Sequence, residues 1–167
     1  MLSAKVLTVS DSVVAGTRVD SAGPRLADAL VDAGFAVVAR EVVADGVAEV
    51  ELALRAMAHG FAGVVVTTGG TGFAPRDLTP EATARVIERD APGLAEAMRA
   101  VSPLGRLSRG RAGVAGACLI VNTPGSERGA LECLGAVVDV LAHAVELLAG
   151  APSPHPPETG GTTATSS

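Results

Sequence analysis

The chain has 167 residues, 48% of them hydrophobic, and a formal net charge of −5 from 18 acidic against 13 basic side chains. That length and apolar content suit one globular domain and exclude a chain disordered over most of its length. The acidic balance, the absence of Trp and Tyr and the presence of only three Phe exclude a nucleic-acid binder that relies on a basic face or on base-stacking platforms.

Met1-Leu2-Ser3-Ala4-Lys5 leads straight into an apolar strand without a signal-peptide pattern. No apolar run reaches the roughly 18 residues of a membrane span. A cytoplasmic location with neither membrane nor nucleic-acid partner is therefore expected. Lys5 to Ser10 predicts the first strand, and Gly23-Pro24 opens a helix with Leu26, Ala27, Leu30 and Val31 on its inner face, ended by Gly34. Phe35 to Val43 predicts a second strand. Val47, Val50, Leu54 and Met57 follow at helical spacing, closed by Gly60, and Gly63 to Thr68 predicts a third strand. Helices start at Thr79-Pro80 and at Pro92, the latter running to about Ala100.

The Gly- and Arg-rich segment from Ser102 to Gly116 predicts a structured loop, and Ala117 to Asn122 a further strand. One last helix carries Leu131, Leu134, Val138, Leu141, Val145 and Leu148 on a core face. At Ala151 the composition turns abruptly to Pro, Gly, Ser and Thr, which divides the chain into a domain over 1–150 and a flexible tail over 151–167. Cys118 and Cys133 have no partner at metal-ligand spacing and are expected as buried, inert thiols. Alternating strands and helices predict an α/β fold of three layers, a mostly parallel sheet with helices on both faces. Right-handed crossovers then bring the strand C-termini to one edge, where such sheets bind ligands.

Those ends carry the polar motifs. Val64-Val65-Val66-Thr67-Thr68 runs into Gly69-Gly70-Thr71-Gly72 and on to Arg76-Asp77, just before a helix start. Glycines let main-chain N–H groups approach a phosphate, and Thr68 and Thr71 add hydroxyl donors. Asp45 and Asp77 both follow strands, and paired carboxylates beside phosphate are a usual way to hold Mg²⁺. Asp45 in Ala44-Asp45-Gly46 equally suits a turn, and Asp77 equally suits a helix start. Ser10, Asp11 and Ser12 end the first strand, placed either to touch a ligand or to cap a helix. Arg76, Arg109 and Arg111 are candidate phosphate partners or solvated surface charges. No nucleophile–His–Asp arrangement is evident, and the histidines receive no role.

TTGGTGFAPRDLTPEAT resembles the signature of molybdenum-cofactor biosynthesis proteins, in particular the MogA/MoaB-type molybdopterin adenylyltransferases and the G domain of gephyrin. The resemblance extends in order through Thr8-Val9-Ser10-Asp11-Ser12, Asp20-Ser21-Ala22-Gly23-Pro24, Val43-Ala44-Asp45, Ala91-Pro92-Gly93-Leu94, Leu107-Ser108-Arg109 and Val121-Asn122-Thr123-Pro124-Gly125-Ser126. It implies transfer of AMP from ATP to molybdopterin with release of pyrophosphate. Asp45 and Asp77 would then be the catalytic and Mg²⁺-holding residues, and Gly69 to Gly72 the phosphate cradle. Thr71, Ser102, Asn122 and Ser126 would orient the pterin or its phosphate, beside Pro124 and Gly125. A homotrimer and a transient contact with molybdenum insertase are implied as well. Two departures stand out: Ser126-Glu127 follows Pro124-Gly125 where the family often has a proline two residues on, and the segment between Ser102 and Arg109 is shorter than in many relatives. A catalytically silent molybdopterin-binding paralogue is the alternative. A dinucleotide-dependent oxidoreductase is disfavoured, because no Gly-x-Gly-x-x-Gly follows the first strand and no Walker A lysine is present.

Overall fold

Hydrophobic alternation along the strands explains the architecture of the computed structural model, which describes residues 1–151. In β1 (Ser3–Val9), Ala4 and Val6 face one side of the sheet and Leu7 and Val9 the other. In β3 (Gly63–Thr68), Val64 and Val66 oppose Val65, and in β6 (Cys118–Thr123), Leu119 and Val121 oppose Cys118 and Ile120. Strands apolar on both faces must be covered on both faces, which is the condition that selects a three-layer α/β fold.

One layer holds α2 (Ala22–Asp32), α5 (Pro92–Arg99), α6 (Glu127–Gly135) and α7 (Val138–Leu148). The other holds α3 (Val47–Ala58) and α4 (Thr79–Val86). Prolines sit in the first turns of α4 and α5, where their missing N–H costs nothing. A four-residue α1 (Asp11–Val14) follows β1.

The six strands run in the order β2-β1-β3-β6-β5-β4, with β2 (Ala36–Val43), β1, β3 and β6 parallel. The register aligns Thr8 with Thr68 and Thr68 with Thr123, so the parallel strands end level along one edge. β5 (Ala112–Ala115) and the two-residue β4 (Arg89–Asp90) add antiparallel at the far side. The expected mostly parallel sheet is thus present, with an antiparallel extension.

Three expectations are corrected. Val31 is 55% exposed and lies off the core face of α2, where Leu26, Ala27 and Leu30 are buried. The segment 102–116 is more ordered than a loop: it contains a 3-10 helix (Pro103–Leu107) and β5. The sequence Ala-Gly-Val-Ala of β5 has little strand propensity of its own, and its pairing with β6 supplies the order. The last apolar stripe belongs to two helices. The Ala136 N–H is shared between the Glu132 and Cys133 carbonyls and Val137 turns out of helical backbone, just after Gly135, a poor helix former. The Pro- and Gly-rich tail beyond Ala151 lies outside the described residues.

Both cysteines are buried as expected, and burial pushes the Cys118 thiol up to about 11 and raises that of Cys133. Leu26 is fully buried where α2 meets the sheet. Leu26→Ala is expected to lower stability by about 2–5 kcal/mol, read as a shift of the denaturant midpoint at unchanged slope.

Candidate functional site

The loop after β3 has an unusual orientation of its peptide groups. Gly69 and Gly70 adopt φ of +101° and +68°, a region that side-chain-bearing residues rarely enter. A Cβ on Gly69 would collide with the Val9 carbonyl oxygen, and one on Gly70 would collide with Thr79 Oγ1 and lie 3.2 Å from Asp45 Oδ1. Thr79 Oγ1 donates to the Gly69 carbonyl (2.9 Å) and the Thr79 N–H to that of Gly70 (3.0 Å). Arg109 donates its main-chain N–H to Thr71 O (2.8 Å) and Nε to Gly72 O (2.8 Å). Four consecutive carbonyls are therefore satisfied by the protein. Among the described residues, the N–H groups of Gly70, Thr71 and Gly72 have no protein acceptor. Successive N–H groups left free in this way form an anion-binding concavity.

Asp77 closes this loop. Its Oδ2 accepts from the Ala74 N–H (2.9 Å), while its own N–H donates to the Ala74 carbonyl (2.9 Å). Asp45 lies across from it, with Oδ2 accepting from the Asp11 N–H (2.9 Å). Asp11 returns the bond, its Oδ1 accepting from the Asp45 N–H (3.1 Å), and the Arg76 guanidinium donates to the Asp11 carboxylate and to the Asp45 carbonyl (2.6 Å). That pairing with Arg76 holds the Asp11 carboxyl below its ordinary value of 3.8. The knot of Asp11, Asp45 and Arg76 locks the ends of β1 and β2 against the glycine loop.

Two cavities open here. The smaller, of about 190 Å³, is lined by Ser10, Asp45, Thr68, Gly69, Gly70 and Asp77 among others. The larger, of about 710 Å³, runs from Thr71 and Gly72 past Ser102, Leu104, Leu107 and Ser126. They meet at Gly70, Asp77 and Gly125. Pro124 and Gly125 close the junction, with the Pro124 carbonyl accepting from Thr68 Oγ1 (2.8 Å). Ser10 and Ser126 also cap helices, accepting from the Val13 and Gly129 N–H groups.

Other candidates have different roles. Asn122 is buried and lines neither cavity; its Nδ2 donates to Thr67 Oγ1 (3.0 Å) and Thr83 Oγ1 (3.1 Å), and its Oδ1 accepts from the Arg111 N–H (3.0 Å). Strand parity explains this: Asn122 shares the face of Cys118 and Ile120, toward α4. Asp11 is likewise outside both linings, its carboxylate engaged by Arg76 and Asp45. Arg76, Arg109 and Arg111 are all paired within the protein, with Asp11, Glu81 and Asp90 respectively, so none is a free phosphate partner. The Arg109 pairing holds the Glu81 carboxyl below its ordinary value. Glu127 is turned to Arg25 (3.5 Å) and lines neither cavity.

Sequence reasoning passed over Thr8, Arg18 and Asp20 in the smaller cavity and Leu104 and Arg128 in the larger. Asp20 accepts from Thr8 Oγ1 (2.8 Å) and the Gly23 N–H (3.0 Å). A Cβ on Gly23 would collide with its carboxylate, so Asp20-Ser21-Ala22-Gly23 carried a spatial signal as a block.

Gly69→Ala combines a left-handed backbone with a main-chain clash and is expected to cost about 1–3 kcal/mol, measured by chemical denaturation. The pH dependence of the knot has a definite sign. Because the folded Asp11 value is depressed, its stabilisation is present above 3.8 and is lost as pH falls through the lower folded value. Arg76→Ala is expected to return the Asp11 titration upward toward 3.8, observed by carboxyl-carbon NMR; an unmoved titration would contradict the pairing.

Comparison with known proteins supports the fold and shows the family. Residues 5–143 match the family model described as "Probable molybdopterin binding domain". The chain is 39% identical over 150 residues to the Drosophila melanogaster molybdenum cofactor synthesis protein cinnamon, covering 86% of this chain and 25% of that longer protein. It is 38% identical over 152 residues to the molybdopterin adenylyltransferase of Helicobacter pylori strain J99, covering 87% of this chain and 86% of the relative. The crystal structure of the molybdopterin biosynthesis enzyme MoaB from Thermus thermophilus superposes with a TM-score of 0.86 at 45% identity, covering 91% of this chain and 99% of that one. With the family model matching residues 5–143 and relatives at 38–45% identity matching nearly the whole described chain, the chain belongs to the molybdopterin-binding domain family of molybdenum cofactor biosynthesis.

Proposed function

We propose that the protein is a molybdopterin adenylyltransferase that transfers AMP from ATP to molybdopterin with release of pyrophosphate. The observation that carries this reading is the junction of two unequal cavities at Gly70, Asp77 and Gly125, beside N–H groups without protein acceptors. A smaller polar cavity beside the cradle suits nucleotide phosphates. A larger one, walled by Leu104, Leu107 and Pro124 with Ser102 and Ser126 at polar points, suits a pterin. The reacting phosphates would meet between them.

In this reaction an oxygen of the terminal phosphate of molybdopterin forms a bond to the α-phosphorus of ATP, and the bridging bond to the β-phosphate breaks, so that pyrophosphate carries away the electron pair. No protein nucleophile is needed, and catalysis is positioning and charge stabilisation. Gly70, Thr71 and Gly72 would donate to phosphate oxygens, Thr68 and Ser10 would flank them, and Ser102, Thr71 and Ser126 would orient the pterin side.

Asp45 and Asp77 fit a Mg²⁺ ion in their donor chemistry. Each carboxylate has one oxygen fixed by a main-chain N–H and its other oxygen outside any hydrogen bond of the described residues. Mg²⁺ is commonly bound by one or two carboxylates together with substrate phosphates, and these two aspartates would supply such carboxylates. Bound there, Mg²⁺ would supply neutralisation of the phosphate charge.

The reading includes, from the family resemblance, a homotrimer, a transient handover to molybdenum insertase and a cytoplasmic location; among the described residues no helix is long and apolar enough to cross a membrane.

The test is pyrophosphate release from Mg²⁺ and ATP, with and without molybdopterin. Release should require molybdopterin and should fall by about 10²–10³-fold in Asp77→Ala, as for loss of a group that acts on the transition state. Unchanged turnover in that variant would refute the assignment of Asp77. Tight molybdopterin binding without release would make the chain a catalytically silent paralogue.

A further inference from the structure

Arg109 lines neither cavity, yet it ties the wall of the larger one to the loop at which the two meet. It follows directly on Ser108, a wall residue of the larger cavity, and the 3-10 helix Pro103–Leu107 precedes it in the same wall. From that wall it reaches into the cradle loop. Its main-chain N–H donates to Thr71 O (2.8 Å), Nε to Gly72 O (2.8 Å) and Nη2 to the Asp77 carbonyl (2.5 Å), while Nη1 pairs with Glu81. Asp77 lines both cavities, yet its carboxylate and its N–H both bond to Ala74 within the same turn. The guanidinium is thus a direct tie between the Asp77 turn and the wall of the larger cavity.

The wall is itself braced from behind. Gly105 sits so close to α5 that a Cβ there would collide with the Arg99 carbonyl oxygen. Arg99 Nη1 donates to the Gly110 carbonyl (2.9 Å), one residue past Arg109. A displacement of residues 105–110 therefore moves the donor set that holds Gly72 and Asp77. Resting on the adenylyl-transfer reading, we infer that Arg109 is a positioning residue that couples the two cavities. A ligand seated against the 102–108 wall fixes Arg109, and Arg109 fixes the cradle peptide groups and, through the Asp77 carbonyl, the turn that carries the Asp77 carboxylate. Glu81 balances the guanidinium charge, so the residue acts through geometry and not as a phosphate counter-ion. Its planar fork serves carbonyls in different directions at once, which the point charge of lysine does not reproduce. Coupling of this kind is reciprocal: each ligand must tighten the other by the same factor.

The experiment is calorimetric binding of Mg²⁺ with the non-hydrolysable analogue α,β-methylene-ATP, in the absence and presence of saturating molybdopterin. The wild-type protein should bind the analogue about fivefold or more tighter when molybdopterin is present. In Arg109→Lys that ratio should fall to about one, with the analogue still binding, as expected for a coupling term removed without the site. Arg99→Gln, which frees Gly110 and leaves the Arg109 fork in place, should also lower the ratio and serves as the deciding variant if Arg109→Lys fails to fold. A ratio near one in the wild type, or a wild-type ratio retained in a folded Arg109→Lys or in Arg99→Gln, overturns the coupling while leaving adenylyl transfer standing. Failure of the wild type to bind either ligand overturns both.

Discussion

The site depends on the direction in which four peptide groups point. Carbonyls are the natural obstacle to binding an anion at a loop, because each turned inward would repel it. Here the carbonyls of Gly69 and Gly70 are drawn away by Thr79, and those of Thr71 and Gly72 by Arg109. The left-handed backbone of Gly69 and Gly70 makes that rotation accessible, and the contacts of Gly69 with Val9 and of Gly70 with Thr79 leave no space for a side chain. The Asp11–Asp45–Arg76 knot and the bonds from Arg109, itself paired with Glu81, hold that loop in one orientation.

Under the proposed reaction, such a construction would reconcile an acidic protein with an anionic ligand. Asp20, Asp45 and Asp77 all line the smaller cavity, whereas Arg76, Arg109 and Arg111 are engaged by Asp11, Glu81 and Asp90. Favourable potential for phosphate comes from main-chain dipoles, and the carboxylates suit a cation arriving with the phosphates. The arginines organise backbone.

Much of this was legible along the chain. The β-branched run of β3, the glycines after it and the prolines at the starts of α4 and α5 each have a local physical meaning, and their structures follow. Ser10, Asp45, Thr68 and Asp77 are located by the rule that strand C-termini share an edge, and all four line the smaller cavity. Asn122 is misplaced by that rule because the position of a residue at a strand end does not reveal its face. Counting alternation from Cys118 and Ile120 turns it toward α4. The break between α6 and α7 escapes because its apolar stripe continues across Gly135 as though one helix ran through.

By itself, the sequence determined what local chemistry and periodicity can specify: the alternation of strands and helices, the sheet's two buried faces, the glycine turn and the family to which its motifs point. Tertiary structure alone decided the partners. The pairing of β3 with β6, the capture of Asp11 by Arg76, 65 residues away, and the reach of Arg109 to Gly72 and Asp77 all join segments that are far apart in the chain. No local propensity encodes such contacts. They arise when packing on both sides of the sheet brings the strand ends level, and only then is it settled which polar groups are satisfied within the protein and which are left for a ligand.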